Sequence, residues 1–229
     1  WVKFMEHNYP EMIDNLSTCK SPSEMEGALI KAYFQDKLGY DAKKIVVVSI
    51  MPCVAKKFSS EREEMRVQDI QDVDIVLTTR ELARMIKEAG IDFMNLKDED
   101  FDNPFGESSG AAVIFGATGG VTEAALRTIF DLTSGKDNEE GDIKVVRGTE
   151  GIKEAAVTLT DGRTINAAIA NGLGNARKVI EAQLNGEKNY QFIEVMACEG
   201  GCITGGGQPI IDAKTLEKVD VKALRAKAI

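Results

Sequence analysis

Ile45-Val46-Val47-Val48-Ser49-Ile50-Met51-Pro52-Cys53-Val54-Ala55-Lys56 joins a continuous apolar run to a cysteine loop. Phe192-Ile193-Glu194-Val195-Met196-Ala197-Cys198-Glu199-Gly200-Gly201-Cys202-Ile203-Thr204-Gly205-Gly206-Gly207-Gln208-Pro209 does so a second time. The runs Ile45 to Ile50 and Phe192 to Val195 predict buried strands, and open α/β sheets place ligands in the crevice beyond the carboxyl ends of their strands. Cys53, Cys198 and Cys202 are therefore candidates to converge despite their distance in sequence. Thiolates on adjoining loops favour soft metals, iron–sulfur clusters above all.

Upstream of the first run, apolar positions Phe4, Met12, Ile13 and Leu16 predict a short helix. Ser21-Pro22-Ser23-Glu24 opens another, with Ser21 as N-cap, Pro22 at the first helical position and Glu24 at the third. Its apolar positions are Met25, Leu29, Ile30 and Phe34, and it ends near Gly39. After the first cysteine loop come a charged stretch from Ser59 to Met65, a short strand over Asp74–Leu77, and a helix capped by Thr79 that reaches Ala89 before Gly90. The small residues from Ser108-Ser109-Gly110 to Ala117-Thr118-Gly119-Gly120 allow close backbone approach and lead into a helix over Val121–Leu132. Lys144–Val146, Ala155–Thr160 and Thr164–Ala170 read as strands, the last two joined by a turn at Asp161-Gly162. Gly174 to Leu184 is helical, and Thr215 to Ile229 is helix-like.

Strands alternating with helices predict an α/β fold, and the hairpin prevents a purely parallel sheet. There is no internal repeat. Asp131–Asp142 is the expected exposed connection, and a lobe boundary is placed between Lys97 and Ser108.

The chain has 229 residues, enough for one large domain or two small lobes with ample core. Its net charge of −9 argues against a nucleic-acid or anionic-membrane surface. No run approaches the roughly 18 apolar residues of a membrane span, and no signal-peptide pattern is visible. Four cysteines are too few for a disulfide-stapled scaffold of this size, so a reducing, cytoplasmic setting is expected. The chain opens on Trp1 and stops without a tail, and both ends are expected to be fragment boundaries.

Five glycines lie within the eight residues Gly200 to Gly207. Cluster sulfurs and bound anions are stabilised by backbone N–H donors, which uncrowded backbone can bring close. Zinc is the competing metal, but its structural sites usually pair cysteines at short spacing or combine cysteine with histidine. The one histidine is His7, far in sequence from either loop. Lys56 is either a solvated lysine on a first helical turn or a charge offered to an anionic ligand. Met51 and Met196, each two residues before a cysteine, either pack in the core or line a dry cavity for soft ligands.

These segments resemble the second and third signature motifs of the iron-only (FeFe) hydrogenases, whose patterns read M-P-C-x-x-K-x-x-E and E-x-M-A-C-x-x-G-C-x-x-G-G-G-Q-P. Asn15-Leu16-Ser17-Thr18-Cys19-Lys20-Ser21-Pro22 and the stretch from Ser108 to Arg127 add to the likeness, which spans essentially the whole chain. The resemblance implies two α/β lobes, with mixed, mainly parallel sheets flanked by helices and the active site between the lobes. It implies a six-iron H-cluster, in which four cysteines hold a 4Fe–4S cubane and one of them bridges to a two-iron subcluster carrying CO, cyanide and a dithiolate. By motif position Cys53, Cys198 and Cys202 are three of the ligands, with Cys202 the bridge. Lys56 hydrogen-bonds a cyanide, Ser17 sits on a proton path, and Met51, Pro52, Met196, Phe115, Gly206 and Gln208 contribute to the pocket. The implied reaction is reversible interconversion of H₂ with two protons and two electrons. The implied partners are ferredoxin or another electron carrier and maturation proteins.

The sequence departs from the family pattern in three places. The leading motif, T-S-C-C-P-G-W, is represented only by its tryptophan, Trp1, so one cubane ligand and a proton-shuttling cysteine are missing and the isolated fragment is expected to be inactive. Ser59 stands where the second motif has glutamate, and Ser23 where glutamine is usual. Glu199, where proline is common, reads as a tolerated variant, and Cys19 as a buried structural thiol. The alternatives are a non-catalytic relative, either a hydrogen sensor or a cytosolic iron–sulfur assembly protein, and a zinc-stabilised α/β domain. The intact Met51-Pro52-Cys53 and Lys56 favour a true two-iron pocket, because assembly relatives have no cyanide to bind.

Overall fold

The computed structural model describes residues 1–106, 110–134, 151–159 and 162–229. Ser108-Ser109, the strand expected over Lys144–Val146, Asp161 of the hairpin turn and most of the Asp131–Asp142 connection lie outside the described residues. The chain divides into two compact units, one made of Trp1–Asn8, Phe101–Thr204 and Ile211–Ile229, the other of Tyr9–Asp100 and Gly205–Ile210. Among the described residues no helix is long and apolar enough to cross a membrane.

Helix α1 (Val2–Asn8) belongs to the larger unit, where Arg177 stacks over the Phe4 ring at 5.5 Å and donates to the Asn8 side chain at 3.0 Å. The single helix expected from Phe4 to Leu16 is broken at Tyr9-Pro10. Proline has no N–H to continue the ladder, and a 3₁₀ segment, Pro10–Asn15, starts there instead.

The smaller unit begins with α2 (Pro22–Leu38), closed by Gly39 in the left-handed region at φ 72°. Its buried face differs from the expected one. Glu24, Gly27 and Lys31 are buried, whereas Met25 and Leu29 are exposed. Gly27 explains the close approach, since a Cβ there would lie 2.3 Å from the carbonyl oxygen of Asp72. The polar residues of this face are satisfied by ion pairs, Lys31 to Asp74 at 2.7 Å and, from just before the helix, Lys20 to Asp72 at 2.6 Å.

Strand β1 (Val48–Met51) is shorter than the apolar run that announced it. It leads into α3 (Ala55–Ser59), followed by a small hairpin of β2 (Arg66–Val67) and β3 (Ile70–Gln71). β1 pairs in parallel with β4 (Ile75–Thr78), from Val48↔Ile75 to Met51↔Thr78. Ser49, Val76 and Thr78 point inward, whereas Val48, Ile50 and Ile75 are exposed, so burial on both faces does not hold. A two-stranded sheet covered on one face shows period-two burial whatever the apolarity of its outer residues.

Helix α4 (Thr79–Glu88) is capped by Thr78, one residue before the expected cap. The reason is Glu81. Thr78 Oγ1 accepts from the Glu81 N–H at 3.2 Å, and the Glu81 carboxylate accepts from the Thr78 N–H at 2.8 Å, which completes a capping box.

The larger unit continues with α5 (Ala111–Ile114) and α6 (Gly120–Ser134), then β5 (Ile152–Thr158), β6 (Thr164–Asn171), α7 (Leu173–Leu184) and β7 (Phe192–Met196). β6 pairs antiparallel with β5 and parallel with β7, giving the expected mixed sheet with β6 central. Ala168 and Ala170 of β6 are fully buried and pack with Ala176 and Val179 of α7. Ile169 packs with Leu126 of α6. Alternate β6 side chains thus serve separate cores, as the pleat requires. The single helix expected over Thr215 to Ile229 is two, α8 (Ala213–Leu216) and α9 (Val221–Ala226). Asp220 accepts from the Ala223 N–H at 2.9 Å and so starts a new helix rather than continuing the first.

Candidate metal centre

The third motif changes unit at Thr204-Gly205. Its glycine tail folds onto the second motif inside the smaller unit, where the Gly207 N–H donates to the Pro52 carbonyl at 2.9 Å and the Arg80 N–H donates to the Gly207 carbonyl at 3.2 Å. A Cβ on Gly207 would lie 2.8 Å from the Pro52 carbonyl carbon and 2.9 Å from the Cys53 nitrogen. Only glycine permits that contact. Gly206 is exposed beside Val54, and the Gln208 N–H donates to the Gly205 carbonyl at 3.0 Å. Met51, Pro52 and Cys53 are half-buried at the end of β1. The smaller unit therefore brings together Met51, Pro52, Cys53, Gly206 and Gln208, and places Lys56 on the first turn of α3.

Lys56 is not a solvated lysine. Its ammonium donates to the Ser21 hydroxyl and lies 3.5 Å from the Glu24 carboxylate, which is 1% exposed. Burial pushes the Glu24 pKa up, but hydrogen bonds from Ser21 and Ser23, the Lys56 charge and a hydrogen bond from Ser59 outweigh it and hold the carboxyl below the ordinary range. Ser17 is exposed, and its hydroxyl accepts from the Cys19 N–H at 3.2 Å. Cys19 is exposed too, which corrects its reading as a buried thiol. It lies in an irregular segment between the 3₁₀ helix and α2, away from either core.

In the larger unit the Cys198–Cys202 loop is sewn to Gly116–Thr118. The Thr118 N–H donates to the Gly200 carbonyl at 3.3 Å, and the Ile203 N–H to the Gly116 carbonyl at 3.2 Å. Gly200 and Gly201 adopt φ of 92° and 97°, and a Cβ on Gly201 would lie 2.7 Å from the Gly116 carbonyl oxygen. The amides of Gly200, Gly201 and Gly207 are engaged by Asn171 Oδ1 at 2.8 Å, by the Cys198 carbonyl at 3.0 Å and by the Pro52 carbonyl. These three glycines supply close packing and turn geometry. Cys198 is half-buried, Cys202 exposed, and Met196 and Phe115 half-buried.

Two residues of these sites escaped the sequence reading, Asn171 and Glu24 as the partner of Lys56, and Glu194 was read only as the first residue of the third motif. The Glu194 carboxylate, 5% exposed, accepts from the Gly119 and Thr122 amides and the Thr122 hydroxyl, each at 2.7 Å. It caps the start of α6 and fixes β7 four residues before Cys198. A lone acid inside an apolar strand is the signal that could have found it, because a buried carboxylate must be satisfied.

None of the four cysteines is in a disulfide. Among the described residues no group of three or more His, Cys, Asp and Glu side chains is gathered to hold a single metal ion. Cys53 in the smaller unit and Cys198 and Cys202 in the larger are thiols of the kind that suits a soft iron–sulfur centre.

Residues 1–206 match the family model described as iron only hydrogenase large subunit, C-terminal domain. The chain belongs to that family. It is 47% identical over 229 residues to iron hydrogenase 1 of Clostridium pasteurianum, covering all of this chain and 40% of that protein. It is 47% identical to the periplasmic Fe hydrogenase large subunit of Nitratidesulfovibrio vulgaris, covering 54% of it. A solved structure of FeFe-hydrogenase HydA1 from Chlamydomonas reinhardtii superposes with a TM-score of 0.81 at 38% identity, covering all of this chain and 63% of that one. The chain thus spans about half the length of the curated relatives it matches. Cytosolic Fe-S cluster assembly factors are more distant, at 30% identity for one from Aedes aegypti.

Proposed function

We propose that this chain forms the H-cluster-binding part of a hydrogenase that interconverts H₂ with two protons and two electrons. The observation that carries the reading is the Gly207 cradle, in which the tail of the third motif is hydrogen-bonded to the residue preceding Cys53. Two signature motifs that family membership assigns to one cofactor are locked together there, and Cys202 stands five residues upstream of Gly207.

When bound, the six-iron group supplies the redox chemistry, and the protein supplies ligation, orientation and a dry setting. Cys53, Cys198 and Cys202 would hold the iron–sulfur part, with Cys202 the thiolate that the resemblance would assign to both parts. Lys56 offers its ammonium to a cyanide ligand as a charge-assisted donor. Met51, Pro52, Met196 and Phe115 keep water out, Gly206 and Gln208 complete the wall, and Ser17 hands a proton along its hydroxyl. Electrons arrive from ferredoxin or another carrier, maturation proteins insert the two-iron part, and the protein works in the cytoplasm. The lobe boundary expected between Lys97 and Ser108 belongs to this reading.

The full-length protein, matured with its cluster, tests the reading by gas chromatography of H₂ evolved from a reduced viologen dye, with infrared spectra of the same sample. Turnover with CO and cyanide bands is expected. Bands without turnover would indicate a sensor, and an absence of bands an assembly relative.

A further inference from the structure

The second-motif pattern carries a glutamate at the position of Ser59, yet a buried carboxylate still faces Lys56. We propose that Glu24, on α2, is the displaced counter-ion of Lys56, a positioning residue that holds the ammonium in one place through Ser21 and Ser59. Ser23, which departs from the family pattern after the Ser-Pro pair, donates to the Glu24 carboxylate. Ser59, on α3, which departs from the second motif, is among the groups that hold this carboxyl below its ordinary range.

Donor arithmetic supports this arrangement. The Ser21 hydroxyl has one proton and two lone pairs. Its proton goes to Glu24 Oε2 and a lone pair takes the Lys56 ammonium, so the serine couples the two charges. Ser23 donates to the same oxygen at 2.5 Å. Ser21 is the N-cap residue of α2, yet its side chain makes no capping bond, so its hydroxyl serves the ion pair instead of the helix. The other buried ions of this face have partners of their own, Lys31 with Asp74 and Lys20 with Asp72. A carboxylate as buried as Glu24 requires a cation or a full set of donors, and this pocket provides both.

The proposal rests on the hydrogenase reading for what Lys56 serves, but its test needs no cluster. Competitive acetylation of the intact chain, quantified at Lys56 by peptide mass spectrometry, reads how tightly the ammonium is held. Glu24→Gln should raise Lys56 labelling about ten-fold near pH 8, because the ammonium loses the buried carboxylate that holds it. Glu24→Gln with Ser59→Glu should return it to within about two-fold of the parent. Lys31, on the same helix, is the internal reference for folding and should not change. If Glu24→Gln alone opens the helix, the double variant is compared directly with the parent. Unchanged Lys56 labelling in Glu24→Gln, no restoration in the double variant, or failure of both to fold would overturn the proposal. In the matured protein the cyanide stretching band should shift in Glu24→Gln and return in the double variant. A parent protein with no CO or cyanide bands would sink the hydrogenase reading and leave the labelling result standing.

Discussion

The Gly207 amide donates to the Pro52 carbonyl at 2.9 Å, so the glycine tail of one cysteine motif is hydrogen-bonded to the other motif one residue before its cysteine. A side chain at 207 would meet backbone rather than a flexible tip, so the Cys53 loop would have to move.

Gly207→Ala is therefore expected to lower stability by about 1–3 kcal/mol, the usual cost of overpacking. It should also reduce the iron bound after reconstitution. Gly206→Ala is the control, since its Cβ would meet only Val54 Cγ2, at 3.4 Å. Thermal melts and iron analysis of the two variants should differ clearly. Equal behaviour would remove the close-approach account.

Serine in place of Cys53, Cys198 or Cys202 should each cut iron and sulfide content, because the cluster loses a thiolate it cannot replace. Cys19→Ser should leave both unchanged, since Cys19 lies outside both cysteine motifs. Iron and labile-sulfide assays with electron paramagnetic resonance decide, and loss of signal in Cys19→Ser would reassign that thiol.

Glu194→Gln keeps the shape of the side chain but gives the Gly119 and Thr122 donors a weaker acceptor. A loss of about 2–3 kcal/mol is expected, in line with hydrogen bonds to a charged group. Urea denaturation measures it. A change under about 0.5 kcal/mol would show that the carboxylate does not anchor β7 to α6.

The capping box of α4 predicts the direction of an acid effect. The Thr78 amide first, then the Lys57 and Thr78 side chains, pull the Glu81 carboxyl down to about 2. A depressed folded-state pKa gives stability that is fully present above the unfolded value of 4.5 and lost as pH falls toward about 2. Thr78→Ala should cost about 1 kcal/mol at neutral pH. Glu81→Gln should flatten the decline in that acid window, as read by urea midpoints from pH 6 to 2. An unaltered acid limb in Glu81→Gln would mean that this carboxyl does not set it.

Much of the fold was legible in the sequence because its signals are local. Pro22 and Gly39 bound α2 as expected, and the hairpin and the α7–β7 pair lie within a few residues of their expected limits. The errors share a cause. Thr79 and the unbroken helices at either end were misplaced because Glu81, Pro10 and Asp220 decided the boundaries through specific hydrogen-bond geometry. α2 was read by its apolar positions, yet it buries Glu24 and Lys31, because Gly27 brings its polar face against Asp72. No periodicity reports a close approach to a distant backbone.

By itself, the sequence determined the family, the α/β class and the identity of the thiols, since cysteine spacing and glycine clustering are properties of short segments. The tertiary structure alone decided which groups face one another: Gly207 against Pro52, Glu194 against Thr122, Glu24 against Lys56. Those pairings join residues 32 to 155 positions apart, and their energies come from burial and hydrogen-bond geometry that exist only once the chain has folded.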